Sequence, residues 1–193
     1  MFRTIQTCTF IGMVLGTAVS SFANGLEIGA KAPKFTAISS DGTEISLDSF
    51  ADADILVIVF TCNNCPVAIS YEERFKEFAK KYRDQKVAFV AINNSRRENV
   101  EAIKRRIDEK SISYTYVYDG TGQSALAFGA QVTPHCFVLN RDRTLIYKGA
   151  FDDSWNEAPS VSYVHRVVDD VLAGRSPEFS ITTAVGCAIK LRR

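Results

Sequence analysis

The spacing of apolar and polar residues changes period several times along the chain, and each change marks an element. Lys34 to Ile38 and Thr43 to Leu47 flank Ser40-Asp41-Gly42, the pattern of a hairpin closed by a glycine-containing turn. Ile55 to Phe60 is uninterrupted apolar sequence, which suits a strand covered on both faces. From Cys65 the period becomes helical, with Ala68, Tyr71, Phe75, Phe78/Ala79 and Tyr82 on one side and Glu72–Lys76 and Glu77–Lys81 as i,i+4 pairs.

Val87 to Ile92 reads as a second apolar strand. Ser95 with Glu98 suggests a capping box ahead of a helix whose inner face carries Val100, Ile103 and Ile107. Tyr114 to Tyr118 is β-rich, and Ser124 to Phe128 is a short helix stopped by Gly129. Strands at Cys136 to Leu139 and Leu145 to Lys148 surround the polar turn Arg141-Asp142-Arg143. A last helix carries Val161, Val164, Val168 and Val171 and ends at Gly174. Strands alternating with helices behind an N-terminal β-hairpin imply an α/β fold, with a central parallel or mixed β-sheet flanked by helices on both faces.

No repeat or linker divides residues 24–193, so one domain is expected there. The first residues differ. Arg3 is the sole charge before Glu27, Phe10 to Val19 is apolar but shorter than a membrane span, and Ser21-Phe22-Ala23 offers small residues for cleavage. Residues 1–23 are therefore read as a signal peptide and the rest as an exported protein, periplasmic or secreted, with no membrane segment in its mature form. Lys+Arg number 23 and Asp+Glu 22, a balance without the basic footprint of a nucleic-acid binder.

Export sharpens the cysteines. Thr61-Cys62-Asn63-Asn64-Cys65-Pro66 lies where the buried strand hands over to a helix. Reactive groups collect at the carboxyl ends of strands in open α/β sheets, and the free N–H groups opening a helix favour a thiolate. Cys62, ahead of the helix, is expected to be exposed and to attack. Cys65, in the first turn, is expected to resolve the mixed disulfide. Val132-Thr133-Pro134 stands directly before another strand, where a proline that gives up a ladder hydrogen bond serves a purpose.

Together these residues resemble the thioredoxin superfamily. More closely, the chain is similar to its redoxin group, the alkyl hydroperoxide reductase/thiol-specific antioxidant proteins, in a peroxiredoxin-like branch with a C-x-x-C. Gly29-Ala30-Lys31-Ala32-Pro33-Lys34-Phe35, Cys62-Asn63-Asn64-Cys65-Pro66, Ala91-Ile92-Asn93, Thr133-Pro134-His135, Asp152-Asp153 and Gly186-Cys187-Ala188-Ile189-Lys190 carry the resemblance. It implies a thioredoxin-like fold in which Pro134 is cis and lies against the dithiol, while Thr133 helps form a groove for the partner. Two departures stand out. The P-x-x-x-T-x-x-C of peroxiredoxins would require Thr at Cys62 and Pro at Ile58, and the buried acid of thioredoxins would fall at Leu56 or Val59.

The expected function is thiol–disulfide exchange with protein thiols or disulfides through Cys62 and Cys65. The dithiol carries two electrons itself, so no cofactor is needed. One alternative is a thiol peroxidase using Cys65. Another is a copper-binding carrier using Cys62, Cys65 and His135, since thiolates favour Cu(I). A zinc site lacks a second ligand pair. His135 otherwise reads as a strand-entry side chain, His165 as packing, and Cys136 as a small core residue. Cys187, beside Gly186 and near Ile189, suggests a tail docked on the domain and is a candidate third thiol.

Overall fold

The computed structural model describes residues 25–190. The expected signal peptide lies outside them. Within them no helix is long and apolar enough to cross a membrane.

The described residues form nine strands and five α-helices, and the elements read from the sequence occur in the expected order, with two short strands added. Strands β1 (Thr36–Ser39) and β2 (Glu44–Ser46) form the hairpin, and Gly42 adopts the positive φ that its turn requires. Then come β3 (Ile55–Thr61), α1 (Pro66–Ser70), α2 (Glu72–Tyr82), β4 (Val87–Asn93), α3 (Val100–Lys110), β5 (Thr115–Tyr118) and α4 (Gln123–Phe128). The chain closes with β6 (Val132–Thr133), β7 (His135–Leu139), β8 (Leu145–Gly149), α5 (Tyr163–Leu172) and β9 (Cys187–Ala188).

Seven strands make one mixed sheet in the order β2-β1-β5-β4-β3-β7-β8. Strand β3 runs parallel to β4 and antiparallel to β7, which puts it inside the sheet and explains why its whole sequence is apolar. Ile55, Val57 and Val59 face the layer of α2, α3 and α5, where Phe75, Phe78, Ile103 and Val164 pack. Leu56, Ile58 and Phe60 face the other layer, with Phe35, Phe128 and Phe137. The aromatic rings interlock: Phe75 lies 5.0 Å from Phe151 and 5.5 Å from Phe89 between centroids, mostly edge-on or tilted.

Local readings were corrected in three places. The expected single helix after Cys65 is two, broken at Tyr71, whose hydroxyl donates to the buried Asp152 at 3.0 Å. The pairs Glu72–Lys76 and Glu77–Lys81 do not form. Arg106 of α3 grips Glu72 with two hydrogen bonds of 2.7 and 2.8 Å, Lys76 turns to Glu73, and Lys81 turns to Asp169. A planar guanidinium fork outcompetes a single ammonium for a carboxylate. Finally, Ser95 and Glu98 form no capping box. Helix α3 begins at Val100 and is capped by Asn99, which accepts the Ala102 N–H at 2.9 Å.

Candidate active site

Strand β3 delivers Cys62 to its carboxyl end, and Cys65 becomes the N-cap of α1, its sulfur accepting the Ala68 N–H at 3.4 Å. Pro66 at the first helical position fits a helix start, because its missing N–H would have no partner there. Cys62 is half-buried, whereas Cys65 is only 1% exposed.

The segment before β7 meets both sulfurs. The Thr133–Pro134 bond is cis. The Cys65 thiol donates to the Thr133 carbonyl at 3.0 Å, and the Cys62 sulfur lies 3.5 Å from the Thr133 hydroxyl. Strand β9 then pairs antiparallel with β6, setting Cys187 opposite Thr133. Four residues singled out in the sequence therefore share one spot: Cys62, Cys65, Thr133 and Cys187. His135 does not join them. Its ring lies 4.6 Å from that of Phe137, and its Nδ1 accepts the Gln131 N–H. Among the described residues no group of three or more His, Cys, Asp or Glu is arranged to hold a metal ion, so the suggested copper set of Cys62, Cys65 and His135 is not assembled.

An acid is present after all, from a place the sequence argument assigned to a cap. The nearly buried Glu98 accepts the Asn63 N–H at 3.1 and 3.3 Å, the Asn64 side-chain amide at 3.1 Å and the Asn93 side-chain amide at 2.9 Å. Tyr116 completes the clamp by donating to Asn63 Oδ1 at 2.5 Å while accepting from Asn93 at 3.0 Å. These contacts fix the loop between the cysteines. The Leu56 and Val59 positions, by contrast, are buried and apolar as read.

Electrostatics separate the two thiols. Burial pushes the Cys62 thiol up, against hydrogen bonds from Thr133 and the Asn64 backbone, and the charges of Cys65 and Glu98 add to the rise. Burial also acts upward on Cys65, yet hydrogen bonds from the Cys187 thiol, the Thr133 hydroxyl and the Ala68 N–H outweigh it and leave Cys65 below the usual thiol value. Cys62 was expected to be the attacking thiol at a helix start that favours a thiolate. The stabilisation falls on Cys65, because Cys187 and Thr133 face that thiol and the Ala68 N–H of the helix start adds to them. Cys136, fully buried, is pushed far up by desolvation and is inert packing, as expected.

A groove of about 310 Å³ opens beside the sulfurs, lined by Cys62, Asn94, Arg96, Arg97, Cys187 and Lys190 among others. The side-chain nitrogen of Asn94, one of the lining residues, is buried and has no hydrogen-bond partner among the described residues.

A family model, Redoxin, matches residues 27–165. The chain belongs to the Redoxin family. Its fold is thioredoxin-like and its chemistry belongs to the redox class of that family. Among solved structures, this redoxin resembles a hypothetical protein from Sinorhizobium meliloti at 29% identity, with 88% of this chain and 97% of the other covered and a TM-score of 0.81. The fold also matches peroxidoxin BcpB from Mycobacterium tuberculosis (18% identity, 77% and 95% covered, TM-score 0.59). A third match is the thioredoxin domain of a thiol-disulfide oxidoreductase from Bacteroides vulgatus (20% identity, 64% and 88% covered, TM-score 0.56). No curated protein matches the chain.

Proposed function

We propose that this redoxin is an exported thiol–disulfide oxidoreductase that exchanges disulfides with protein partners through Cys62 and Cys65. The observation that carries the reading is the meeting of both sulfurs with Thr133 at the end of β3. Cys62 faces the groove and attacks the partner's disulfide, forming a mixed disulfide and releasing one partner thiolate. Cys65, held at the helix start, then attacks the Cys62 sulfur; the Cys62–Cys65 bond forms and the second partner thiolate leaves. Thr133 and Pro134 shape the groove, and Asn94 supplies a donor for a partner carbonyl. The signal-like segment Phe10 to Val19 supports export to the periplasm or beyond.

Serine variants test the order of steps. Cys62→Ser is expected to abolish reduction of a model protein disulfide, while Cys65→Ser should accumulate mixed disulfides at Cys62. Loss of reduction in both with no trapped partner rejects the reading.

A second reading, peroxide reduction at Cys65, is favoured by one feature, the lowered pKa of that thiol. Its near-complete burial and the absence of the peroxide-activating Thr and Pro weigh against it. Rapid peroxide consumption that survives Cys62→Ser would establish it instead.

A further inference from the structure

The tail that carries Cys187 is built into the dithiol site. Ile181 bridges to Lys148, Cys187–Ala188 pairs with Val132–Thr133, and the Ile189 N–H donates to the Gln131 carbonyl at 2.9 Å. Gly186 makes the approach feasible: a Cβ there would overlap the Thr133 carbonyl, the same carbonyl that accepts from Cys65. The Cys187 carbonyl in turn accepts from the Thr133 hydroxyl at 3.5 Å, and the Cys187 and Cys65 thiols are near enough to shift each other's ionisation, Cys65 down and Cys187 up. Cys65 is nearly buried, whereas Cys187 is exposed and lines the same groove as Cys62.

We propose that Cys187 is a third redox thiol that takes over Cys65 from Cys62 and serves as the point where an external thiol reductant enters. The proposal rests on the exchange reading of Cys62 and Cys65 given above. When a partner disulfide has been reduced, the protein holds a Cys62–Cys65 bond. The Cys187 thiolate attacks the Cys65 sulfur; a Cys65–Cys187 bond forms, the Cys62–Cys65 bond breaks, and the electron pair leaves on Cys62, which is freed as a thiolate. No net oxidation occurs in that step. A reductant thiolate then attacks the exposed Cys187 sulfur and expels Cys65, and a second reductant thiolate attacks the reductant sulfur of that mixed disulfide, forming the reductant's own disulfide and expelling Cys187 as a thiolate. Two electrons and two protons thus pass from two thiols to the protein.

Two features make the steps chemically sound. A thiol with a depressed pKa is a good leaving group, and Cys65 is the leaving group when the reductant attacks Cys187. The Cys187 thiol is pushed up to about 11, first because it donates its proton toward Cys65. That contribution vanishes once Cys65 is in a disulfide, which frees Cys187 to ionise when its attack is due.

The test equilibrates the Cys62→Ser chain with reduced and oxidised glutathione, quenches in acid and maps disulfides by mass spectrometry. A Cys65–Cys187 cross-link is expected as the main oxidised product. Gly186→Ala on the same background should lower its yield at least tenfold by pushing the tail off Thr133. Finding only free thiols or glutathione adducts at Cys65 and Cys187 overturns the proposal, as does a cross-link indifferent to Gly186→Ala. The parent chain in the same buffers separates the two readings. A parent that forms Cys62–Cys65, beside a variant that forms no cross-link, leaves exchange standing and removes the relay. A parent that forms no Cys62–Cys65 bond removes the exchange reading and the relay with it.

Discussion

The Glu98 carboxylate accepts the main-chain N–H of Asn63, at 3.1 and 3.3 Å to its two oxygens, from 35 residues away in sequence. An acid from the loop after β4 thus occupies a donor of the segment that leads into α1. The contact holds the segment between the cysteines, and it also sets a negative charge near Cys62 that resists ionisation there.

Removing that charge is expected to make Cys62 ionise more readily. In a Glu98→Gln chain the rate of Cys62 alkylation, followed from pH 5 to pH 10, should reach half its plateau at a lower pH than in the parent. The residual rise from burial should remain, because burial is the larger cause. A profile that is unchanged, or moved to higher pH, would show that Glu98 acts on loop geometry alone.

What the sequence made legible followed from local pattern. The apolar run of β3 announced a strand covered on both faces, and its helical successor announced the strand–helix junction that holds Cys62 and Cys65. Glu98 was misread because an acid three residues after a serine looks like a cap; its true partners, Asn63 and Asn64, lie far back in the chain. Arg106 and Glu72 were hidden for the same reason, since a helix-to-helix ion pair leaves no trace in either helix's own spacing. Gly186, Cys187 and the apolar Ile189 announced a tail docked on the domain, as found, but not which residue it meets. Its contact with Thr133 spans 54 residues and carries no periodic signal.

His135 links burial to acid sensitivity. Burial, aided by the Lys148 charge, lowers its pKa from 6.5 to about 4. The unfolded chain therefore binds a proton that the folded chain refuses between those values. Stability is full above the unfolded pKa and falls as pH drops toward 4. At pH 4.5 the loss from this residue is roughly 2.5 kcal/mol. His165, also lowered by burial, acts with the same sign. Urea unfolding at pH 7.5 and 4.5 should show a smaller drop for His135→Phe than for the parent. Equal drops would refute the assignment.

Asp152 ties α2 to the loop after β8. Its carboxylate, 1% exposed, meets Arg74 at 2.5 Å and accepts from the Tyr71 hydroxyl and the Ser154 N–H at 3.0 and 3.1 Å. Asp152→Ala strands a partly buried guanidinium and should cost about 3 kcal/mol in urea unfolding. Tyr71→Phe loses one hydrogen bond and keeps the ring stacked on Phe75, so about 1 kcal/mol is expected. A cost for Asp152→Ala no greater than that for Tyr71→Phe would mean that Arg74 finds water as readily as it found the carboxylate.

The order of attack at the dithiol pits access against ionisation, and the two point to different sulfurs. Cys65 is the more readily ionised thiol, but it is 1% exposed and already donates to the Thr133 carbonyl. Cys62 ionises less readily, yet it is half-buried and opens onto the groove. A thiolate that no electrophile can reach does not react, whereas a thiol of higher pKa reacts through its small ionised fraction and is intrinsically the stronger nucleophile. Limiting iodoacetamide on the reduced protein at pH 8, mapped by mass spectrometry, should therefore label Cys62 at least tenfold faster than Cys65. Cys187 is exposed but pushed up to about 11, so it should fall between them or behind both. Labelling of Cys65 first would mean that the helix start opens in solution, and it would move the attacking role, and the peroxide reading with it, to Cys65.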